Sequence, residues 1–406
     1  MWEPRVYIPV SIVAFTICVG IAAFATYMIL WKKMNPHHGS ISKKNVDLEL
    51  QQLSLSVRTV SENKISFESS SHKLMVVETF TVQELTTATA DFCSGNLIGG
   101  SVYHGRHKGK DLAIKCTDHS TISKIKFDLC NDSTHFHPNI VRLLGSCKAA
   151  ESDSAYLVFE YAKNGSLKDW IHGGLAMKSH FIASCSCFLT WNQRLKICLD
   201  VATALHYMHQ IMSPMYIHRN VKSRNIFLDE EFNAKIGNFG MEECVKDIPE
   251  EGSASAEPFS WDRGYNAPEL IDKSSDAITK NSDIYTFGVV LLEILSGKPP
   301  VSKLEKEEGS VFLYNEIKLI LESSDAAEKL RQWMDNVLGE NYSFDAAVML
   351  ANLAKACVEN DPLLRPNAGE VVQKLSKLVA ELSEEEEQFT VGESSCKPLV
   401  VKPICV

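Results

Sequence analysis

The chain has 406 residues, of which 45% are hydrophobic and 23% are charged, and its formal net charge is -10. This mixture is typical of a protein that builds a hydrophobic core, so a disordered chain is excluded. The acidic balance argues against a general nucleic-acid-binding protein, because neutralising phosphates needs clustered lysines and arginines, and no stripe of them forms here.

The first element in chain order is an apolar run at residues 6–31 that carries no charged residue. About 20 residues suffice to cross the hydrocarbon core, so the run predicts a single transmembrane helix. A cleavable signal peptide is the alternative, but the run is too long for the apolar part of one. Lys32, Lys33, Lys43 and Lys44 crowd its C-terminal flank. The positive-inside rule therefore places the rest of the chain in the cytosol and leaves a short extracytoplasmic stub before the helix, at residues 1–5.

Three segments follow the predicted helix. Residues 32–79 are rich in Ser, Thr, Asn and Lys with weak periodicity, and we interpret them as a flexible juxtamembrane linker. A folded domain is predicted at residues 80–382, and residues 383–406 form an acidic C-terminal tail. At the start of the domain, Thr81 and Glu84 fit a capping box that opens a short helix.

Within the domain, β-type runs come first and helical periods follow. Strands are predicted at residues 101–105, 111–116, 137–144 and 155–161. Helices are predicted at residues 121–132, 189–209, 284–296, 312–322, 326–337, 346–359 and 368–382. This order predicts an α+β fold with a small β-rich lobe and a larger helical lobe. The hinge between them is expected at residues 160–165, where Lys163-Asn164-Gly165 signals a turn.

The twelve cysteines are scattered without a regular spacing, which favours reduced, buried thiols over a disulfide framework. Cys185 and Cys187 form a tight pair, but no second pair of Cys or His residues follows at the spacing of zinc ligands. No metal site is therefore predicted from this pair.

Motifs of one kind run through the domain in a fixed order. They are Leu112-Ala113-Ile114-Lys115, His137-Pro138-Asn139, YIHRNVKSRNIFLDEEFNAKIGNFG at residues 216–240, Ala267-Pro268-Glu269, Asp283 in SDIYTFG, and Arg365 in DPLLRP. With these motifs the chain resembles the cytoplasmic kinase domain of a plant receptor-like Ser/Thr kinase. The juxtamembrane spacing and the His-Arg-Asn loop are similar to those of the chitin-receptor group, which carries extracellular LysM modules.

The resemblance implies a two-lobed protein-kinase fold at the plasma membrane. It implies signalling in plant immunity, in a complex with a partner receptor kinase. It also implies a buried, structural ion pair between Glu269 and Arg365, whose loss of one partner would cost several kcal/mol.

Phosphoryl transfer needs a cover over the phosphates, a lysine, metal ligands and a carboxylate that takes the proton of the substrate hydroxyl. By the resemblance, Gly99, Gly100 and Val102 belong to the cover, but the stretch is a few residues shorter than the G-x-G-x-x-G of the family. These glycines fit a tight strand turn as well as a phosphate cradle. Lys115 matches the nucleotide-binding lysine, and Asp128 stands where its partner glutamate belongs.

The catalytic loop keeps Lys222 and Asn225 but carries Asn220 where the family has its aspartate base. An amide takes no proton at neutral pH, so the general-base contribution of about 100- to 10,000-fold should be missing. Asn238 replaces the main Mg²⁺ ligand, and a neutral amide is a poor replacement for a carboxylate. Glu160 belongs to the implied nucleotide site at the hinge. ATP with Mg²⁺ is therefore expected to bind weakly or not at all, with Asn225 and Asn238 as the candidate metal ligands.

The activation segment also departs from the family. Asp262 stands where a threonine should line the peptide-substrate site. The segment before it is acidic, with Glu242, Glu243, Asp247, Glu250 and Glu251. A solvated loop is the favoured interpretation of these carboxylates. The alternative is that they replace a phosphate and pair with Arg219.

Three functional hypotheses follow. The first is a membrane-anchored pseudokinase that acts as a co-receptor or scaffold for an active kinase. The second is a slow, ATP-dependent Ser/Thr kinase that keeps Lys115 and Asn225 and recruits metal through the nucleotide phosphates. The third is a truncated product without its extracellular domain, which would leave the kinase argument unchanged.

Overall fold

The computed structural model describes residues 77–127, 129, 136–150, 152–173, 188–241, 261–271, 279–303 and 309–393. All of them lie in Leu74–Val406, the second of the two units into which the chain divides. The predicted stub, transmembrane helix and nearly all of the predicted linker fall outside these residues, as do Cys185 and Cys187. Within the described ranges, no helix is long and apolar enough to cross a membrane.

The first lobe is built on a six-stranded sheet with two short helices. Its strands are β1 Glu78–Thr79, β2 Leu97–Gly99, β3 Val102–His107, β4 Lys110–Asp118, β5 Leu143–Lys148 and β6 Ser154–Glu160. Its helices are α1 Val82–Ala88 and α2 His119–Ser123. The spatial order is β1-β5-β6-β4-β3-β2, in which β1 runs parallel to β5 and the other neighbours are antiparallel.

The predicted capping box at the start of α1 is confirmed. The Thr81 hydroxyl accepts a hydrogen bond from the Glu84 backbone N–H at 3.2 Å, and the Glu84 carboxylate accepts one from the Thr81 N–H at 2.8 Å. The helix then packs on the sheet through Leu85, which is buried with Phe80 and Ile114. This packing leaves no room for a side chain at Gly145, because an added Cβ would lie 2.2 Å from the Phe80 ring.

The second lobe is mainly helical. Its helices are α3 Leu167–Ile171, α4 Trp191–His206, α5 Pro268–Ile271, α6 Lys280–Ser296, α7 Leu313–Leu321, α8 Ala326–Trp333, α9 Phe344–Cys357 and α10 Ala368–Glu393. Two hairpins accompany them, β7 Ile226–Leu228 with β8 Ala234–Ile236, and β9 Val301–Lys303 with β10 Ser310–Phe312. The predicted two-lobed α+β architecture is therefore confirmed.

Helix α6 forms the centre of the helical lobe. It is buried along nearly its whole length, from Ser282 to Ser296. A helix that is apolar on all sides needs neighbours on all sides, and α4 and α9 are among those that pack against it. The helix begins at a Thr279 cap and ends at Gly297, whose φ is +68°. The two polar side chains of α6 that matter for the site, Asp283 and Glu293, are consequently held in the interior.

Some predicted boundaries are wrong. The strand predicted at 137–144 begins only at Leu143, because Pro138 lacks an N–H and the residues after it form a turn with one bridge, between Ile140 and Ile236. The helix predicted at 121–132 starts earlier, and α2 ends at Ser123. In contrast, the hinge is confirmed, since β6 ends at Glu160 and Gly165 turns the chain with a φ of +68°.

Candidate active site

Asp283 fixes the backbone of the catalytic loop from within the core. Its carboxylate accepts hydrogen bonds from the backbone N–H groups of His218 and Arg219, each at 2.7 Å, and lies 2.8 Å from His209 Nε2. Arg219 adopts a φ of +66°, a strained value for a residue with a side chain. A buried carboxylate is stable only when hydrogen bonds satisfy its oxygens. The loop is therefore tied to the most buried helix of the lobe.

His218 links this loop to the strand end that carries the x-Phe-Gly triplet. Its Nε2 lies 2.7 Å from the Gly237 carbonyl oxygen, so this nitrogen carries the proton. Its Nδ1 accepts a hydrogen bond from the Asn220 backbone N–H at 3.3 Å. Burial lowers the pKa of His218. The neutral ring therefore acts as a structural connector between the two segments.

Asn220 occupies the position of the missing aspartate base. The residue is only 3% exposed, and its Oδ1 has no hydrogen-bond partner among the described residues. Its backbone carbonyl accepts a hydrogen bond from Asn225 Nδ2 at 3.0 Å. The structure thus brings the predicted residues Asn220 and Asn225 into direct contact. An amide at this position offers a neutral oxygen and no proton acceptor at neutral pH.

The x-Phe-Gly triplet is packed inward. The Phe239 ring lies 4.9 Å from that of Tyr216, and the Gly240 N–H donates to the Tyr216 hydroxyl at 2.9 Å. Asn238 adopts a φ of +66°, and its carbonyl accepts from the Met241 N–H at 3.1 Å. Met241 is buried in the first lobe, between α2 and the sheet. The triplet therefore joins the two lobes, as a fold element does.

The glycine segment forms a tight strand turn. Gly99 of β2 pairs with Val102 of β3, so that Gly100, with a φ of +55°, and Ser101 make the turn. The Ser101 carbonyl accepts from the Cys116 N–H at 2.8 Å, and its hydroxyl donates to the Cys116 carbonyl at 3.0 Å. The turn is thereby attached to β4 and does not form a long loop beyond the sheet.

Lys115 and Glu160 lie on neighbouring strands of the sheet. Lys115 is half-buried on β4, in register with Val102 on one side. Glu160 ends β6, and its carboxylate accepts hydrogen bonds from the Arg142 N–H at 2.9 Å and from Lys235 Nζ at 3.1 Å. Glu160 therefore attaches the hinge to β8. Asp128, the predicted partner of Lys115, lies outside the described residues.

The residues at the expected metal position do not fit Mg²⁺. Asn220, Asn225 and Asn238 supply neutral amide oxygens and no carboxylate, whereas Mg²⁺ favours hard, charged oxygen ligands. One end of the Asn225 amide is already engaged with the Asn220 backbone. Over the described part of the chain, no group of three or more His, Cys, Asp or Glu side chains could hold a metal ion.

The predicted ion pair between Glu269 and Arg365 is confirmed, with Nη2 and Oε2 2.7 Å apart. It fastens the end of the activation segment to the loop before α10. The acidic residues that precede Asp262 in this segment, 242–251, lie outside the described residues, so their predicted alternatives remain predictions.

A second buried network was missed from the sequence. Glu293 of α6 accepts hydrogen bonds from the Tyr265 hydroxyl at 2.5 Å and from Ser223 Oγ at 2.9 Å, and it lies 2.9 Å from His172 Nε2. Burial and the Glu293 carboxylate raise the pKa of Tyr265 well above its ordinary value. A single carboxylate in the apolar run VVLLEIL was the available signal, because a buried charge needs partners.

A lobe of strands carrying Lys115, a hinge, and a helical lobe carrying a His-Arg-Asn loop and an x-Phe-Gly triplet define a protein-kinase fold. Amides stand in this fold at the two positions that kinases fill with carboxylates. The family model for protein tyrosine and serine/threonine kinases matches residues 90–375. The chain belongs to this family.

Similar proteins from Arabidopsis thaliana refine this placement. Protein LYK2 is 40% identical over 422 residues, which cover 94% of this chain and 61% of that protein. LysM domain receptor-like kinase 3 is 34% identical and chitin elicitor receptor kinase 1 is 33% identical, each match covering 74% of this chain and 46% of the relative. The kinase domain is therefore of the plant receptor-like type and similar to those of LysM receptor-like kinases. The chain spans less than two thirds of the length of these relatives.

Proposed function

We propose that this chain is a pseudokinase, a membrane-anchored protein of the plasma membrane that acts as a co-receptor or scaffold for an active partner kinase. The observation that carries the proposal is the environment of Asn220. A buried amide with an unpartnered oxygen, measured against the described residues, stands where phosphoryl transfer requires a proton-accepting carboxylate. The general-base step therefore has no group to perform it.

The nucleotide side of the cleft supports the same conclusion. Replacing two aspartates by Asn220 and Asn238 removes two negative charges from a site that must hold cations. In addition, the turn at Gly100 and Ser101 is hydrogen-bonded to β4. ATP with Mg²⁺ is accordingly proposed to bind weakly or not at all.

The parts that maintain the fold are complete, which a docking protein requires. Asp283 holds the catalytic loop, Glu269 and Arg365 hold the activation segment, and α6 is fully packed. An intact surface on an inactive core can still bind a partner receptor kinase. Membrane attachment rests on the apolar run at residues 6–31.

A weakly active Ser/Thr kinase is the second candidate. It is favoured by Lys115, which stands on β4 where kinases place the nucleotide-binding lysine, and by Asn225, which remains in the catalytic loop. This candidate would have to recruit metal through the phosphates of the nucleotide.

The deciding experiment uses the full chain, purified in detergent. We expect the same melting temperature with and without MgATP, and no phosphate transfer to the chain itself or to a generic substrate. Transfer that disappears in Lys115→Ala would overturn the pseudokinase proposal. Lys110→Ala is the matched control, because Lys110 is an exposed lysine on the same strand.

A second experiment asks which defect limits activity. The double variant Asn220→Asp/Asn238→Asp restores both carboxylates. Activity in this variant would mean that only the carboxylates were lacking, whereas continued inactivity would identify the short glycine turn as a further defect. Purification of the full chain from its native membrane, followed by identification of the co-purified kinase, tests the scaffold role.

A further inference from the structure

The segment Trp261–Tyr265 is anchored at both of its ends. At one end, the Tyr265 hydroxyl donates to Glu293 at 2.5 Å and lies 3.0 Å from Ser223 Oγ. At the other end, the Trp261 ring contacts α3 and the residue after it, with Lys168 Nζ 4.7 Å from the ring centroid and the His172 ring 5.0 Å away. The short 3₁₀ turn between these anchors is therefore held in one position.

A third contact supports the middle of the turn. Gly264 packs so closely on Pro300 that an added Cβ would lie 2.7 Å from the proline Cβ and 2.8 Å from its carbonyl carbon. The turn thus rests against the chain that follows α6. Asp262, which lies between the anchors, is fixed with its side chain toward the catalytic loop.

Asp262 bridges two basic residues of that loop. Its carboxylate lies 3.5 Å from Lys222 Nζ and 2.9 Å from Arg224 Nη1. The Lys222 side chain is 6% exposed and that of Asp262 is 27% exposed. A partly buried pair is screened less by water and salt than a surface pair, so this bridge is expected to persist in solution.

A substrate hydroxyl must reach the catalytic loop to take up a phosphoryl group. Asp262 comes from the activation segment, at the position expected to line the peptide-substrate site, and its carboxylate takes the Lys222 ammonium as its partner. We propose that Asp262 is a specificity-determining residue, which closes the acceptor side of the site by bridging Lys222 and Arg224. The bridge excludes a Ser/Thr peptide even when Asn220 and Asn238 are both returned to aspartate.

This inference rests on the proposed pseudokinase function but concerns a different part of the site. The amides remove the base and the metal ligand, whereas Asp262 acts on the approach of the acceptor. An amine-reactive reagent reports directly on the bridge, because it modifies a lysine that is free to move away from its carboxylate.

In the full chain, Asp262→Asn keeps the shape of the side chain and removes its charge. We expect labelling of Lys222, measured by mass spectrometry, to rise about fivefold. Glu322→Gln is the matched control, since Glu322 pairs with Lys355 at 2.9 Å elsewhere in the lobe. In that control, labelling of Lys222 stays unchanged while labelling of Lys355 rises. Unchanged labelling of Lys222 in Asp262→Asn would overturn the inference.

A second arm compares the double variant Asn220→Asp/Asn238→Asp with the triple variant that adds Asp262→Thr. We expect peptide phosphorylation to be about tenfold or more higher in the triple variant, with equal ATP hydrolysis by both. Equal peptide phosphorylation by the two variants overturns the inference and leaves the pseudokinase proposal standing. ATP turnover by the unmodified chain without peptide transfer overturns the pseudokinase proposal alone. Where neither variant transfers phosphate, the labelling of Lys222 decides.

Discussion

Arg365 grips Glu269 with both arms of its guanidinium, Nη1 to Oε1 and Nη2 to Oε2, each 2.7 Å apart. The Arg365 side chain is 0% exposed and that of Glu269 is 13% exposed. Burial alone would raise the pKa of Glu269, but the hydrogen bonds and charge of Arg365 outweigh it and the pKa is lowered. The two residues are 96 positions apart in the chain, so the pair joins segments that no local structure connects.

Breaking this pair should destabilise the helical lobe strongly. Arg365→Met leaves the Glu269 carboxylate without its main partner, and we expect a loss of about 3 to 5 kcal/mol in the free energy of unfolding. Chemical denaturation measures it. The control is Lys355→Met, which removes a more exposed pair and should cost about 1 kcal/mol or less. A loss in Arg365→Met as small as in this control would contradict the structural role.

The two amides of the catalytic loop should respond oppositely to truncation. Asn220→Ala removes a buried oxygen that has no hydrogen-bond partner among the described residues, so we expect stability to change by less than about 1 kcal/mol or to increase. Asn225→Ala removes the donor to the Asn220 carbonyl, and we expect a loss of about 1 to 3 kcal/mol.

Thermal unfolding of both variants checks this prediction. A larger loss for Asn220→Ala than for Asn225→Ala would mean that the Asn220 side chain stabilises the loop. It would then have to be regarded as a structural residue and not as the remnant of a base.

The stability of the domain should fall as the pH drops below about 6.5, partly because of His137. Burial, with smaller effects from His206 and Lys235, lowers the pKa of His137 from 6.5 to about 4. Its Nδ1 accepts the Asn139 N–H at 3.2 Å, a bond that protonation destroys. The unfolded chain therefore binds a proton between pH 6.5 and pH 4 that the folded chain refuses, so stability is lost as the pH falls through this window.

His137→Phe keeps ring packing on Tyr207 and removes the titration. We expect the free energy of unfolding to fall by about 1 to 3 kcal/mol less between pH 6.5 and pH 4 in the variant than in the unmodified chain, as measured by denaturation at each pH. Identical slopes in the two proteins would show that His137 is already accessible to protons.

Elements with strong local signals could be predicted from the sequence. The capping box of Thr81 and Glu84, the strand that became β6 and the turn at Gly165 all depend on residues within a few positions of one another. The same holds for Asn220 and Asn225, whose contact lies within one loop. Local periodicity and turn chemistry are sufficient for such features.

Contacts between distant segments could not be predicted in this way. Glu293 meets His172 across 121 positions, and Asp262 meets Arg224 across 38, so neither pair leaves a periodic trace. The strands of the β7–β8 hairpin have three residues each, which is too short for alternation to be recognised. Tertiary packing determines these features.

Gly237 should tolerate no side chain, because the ring of Phe227 covers it. An added Cβ would lie 2.7 Å from Phe227 Cε2 and 3.4 Å from the Asn225 carbonyl oxygen. We therefore expect Gly237→Ala to reduce the free energy of unfolding by about 1 to 3 kcal/mol. Gly99→Ala is the control, since an added Cβ there meets nothing within 4 Å and should change stability by less than about 0.5 kcal/mol.

The double variant Gly237→Ala/Phe227→Leu separates the clash from other effects. Leucine removes the ring edge that the new methyl group would strike, so the two losses should not add. We expect a favourable coupling energy of about 0.5 to 3 kcal/mol in the double-mutant cycle, measured by chemical denaturation. Strict additivity of the two single losses would place the cost of Gly237→Ala in the backbone rather than in contact with Phe227.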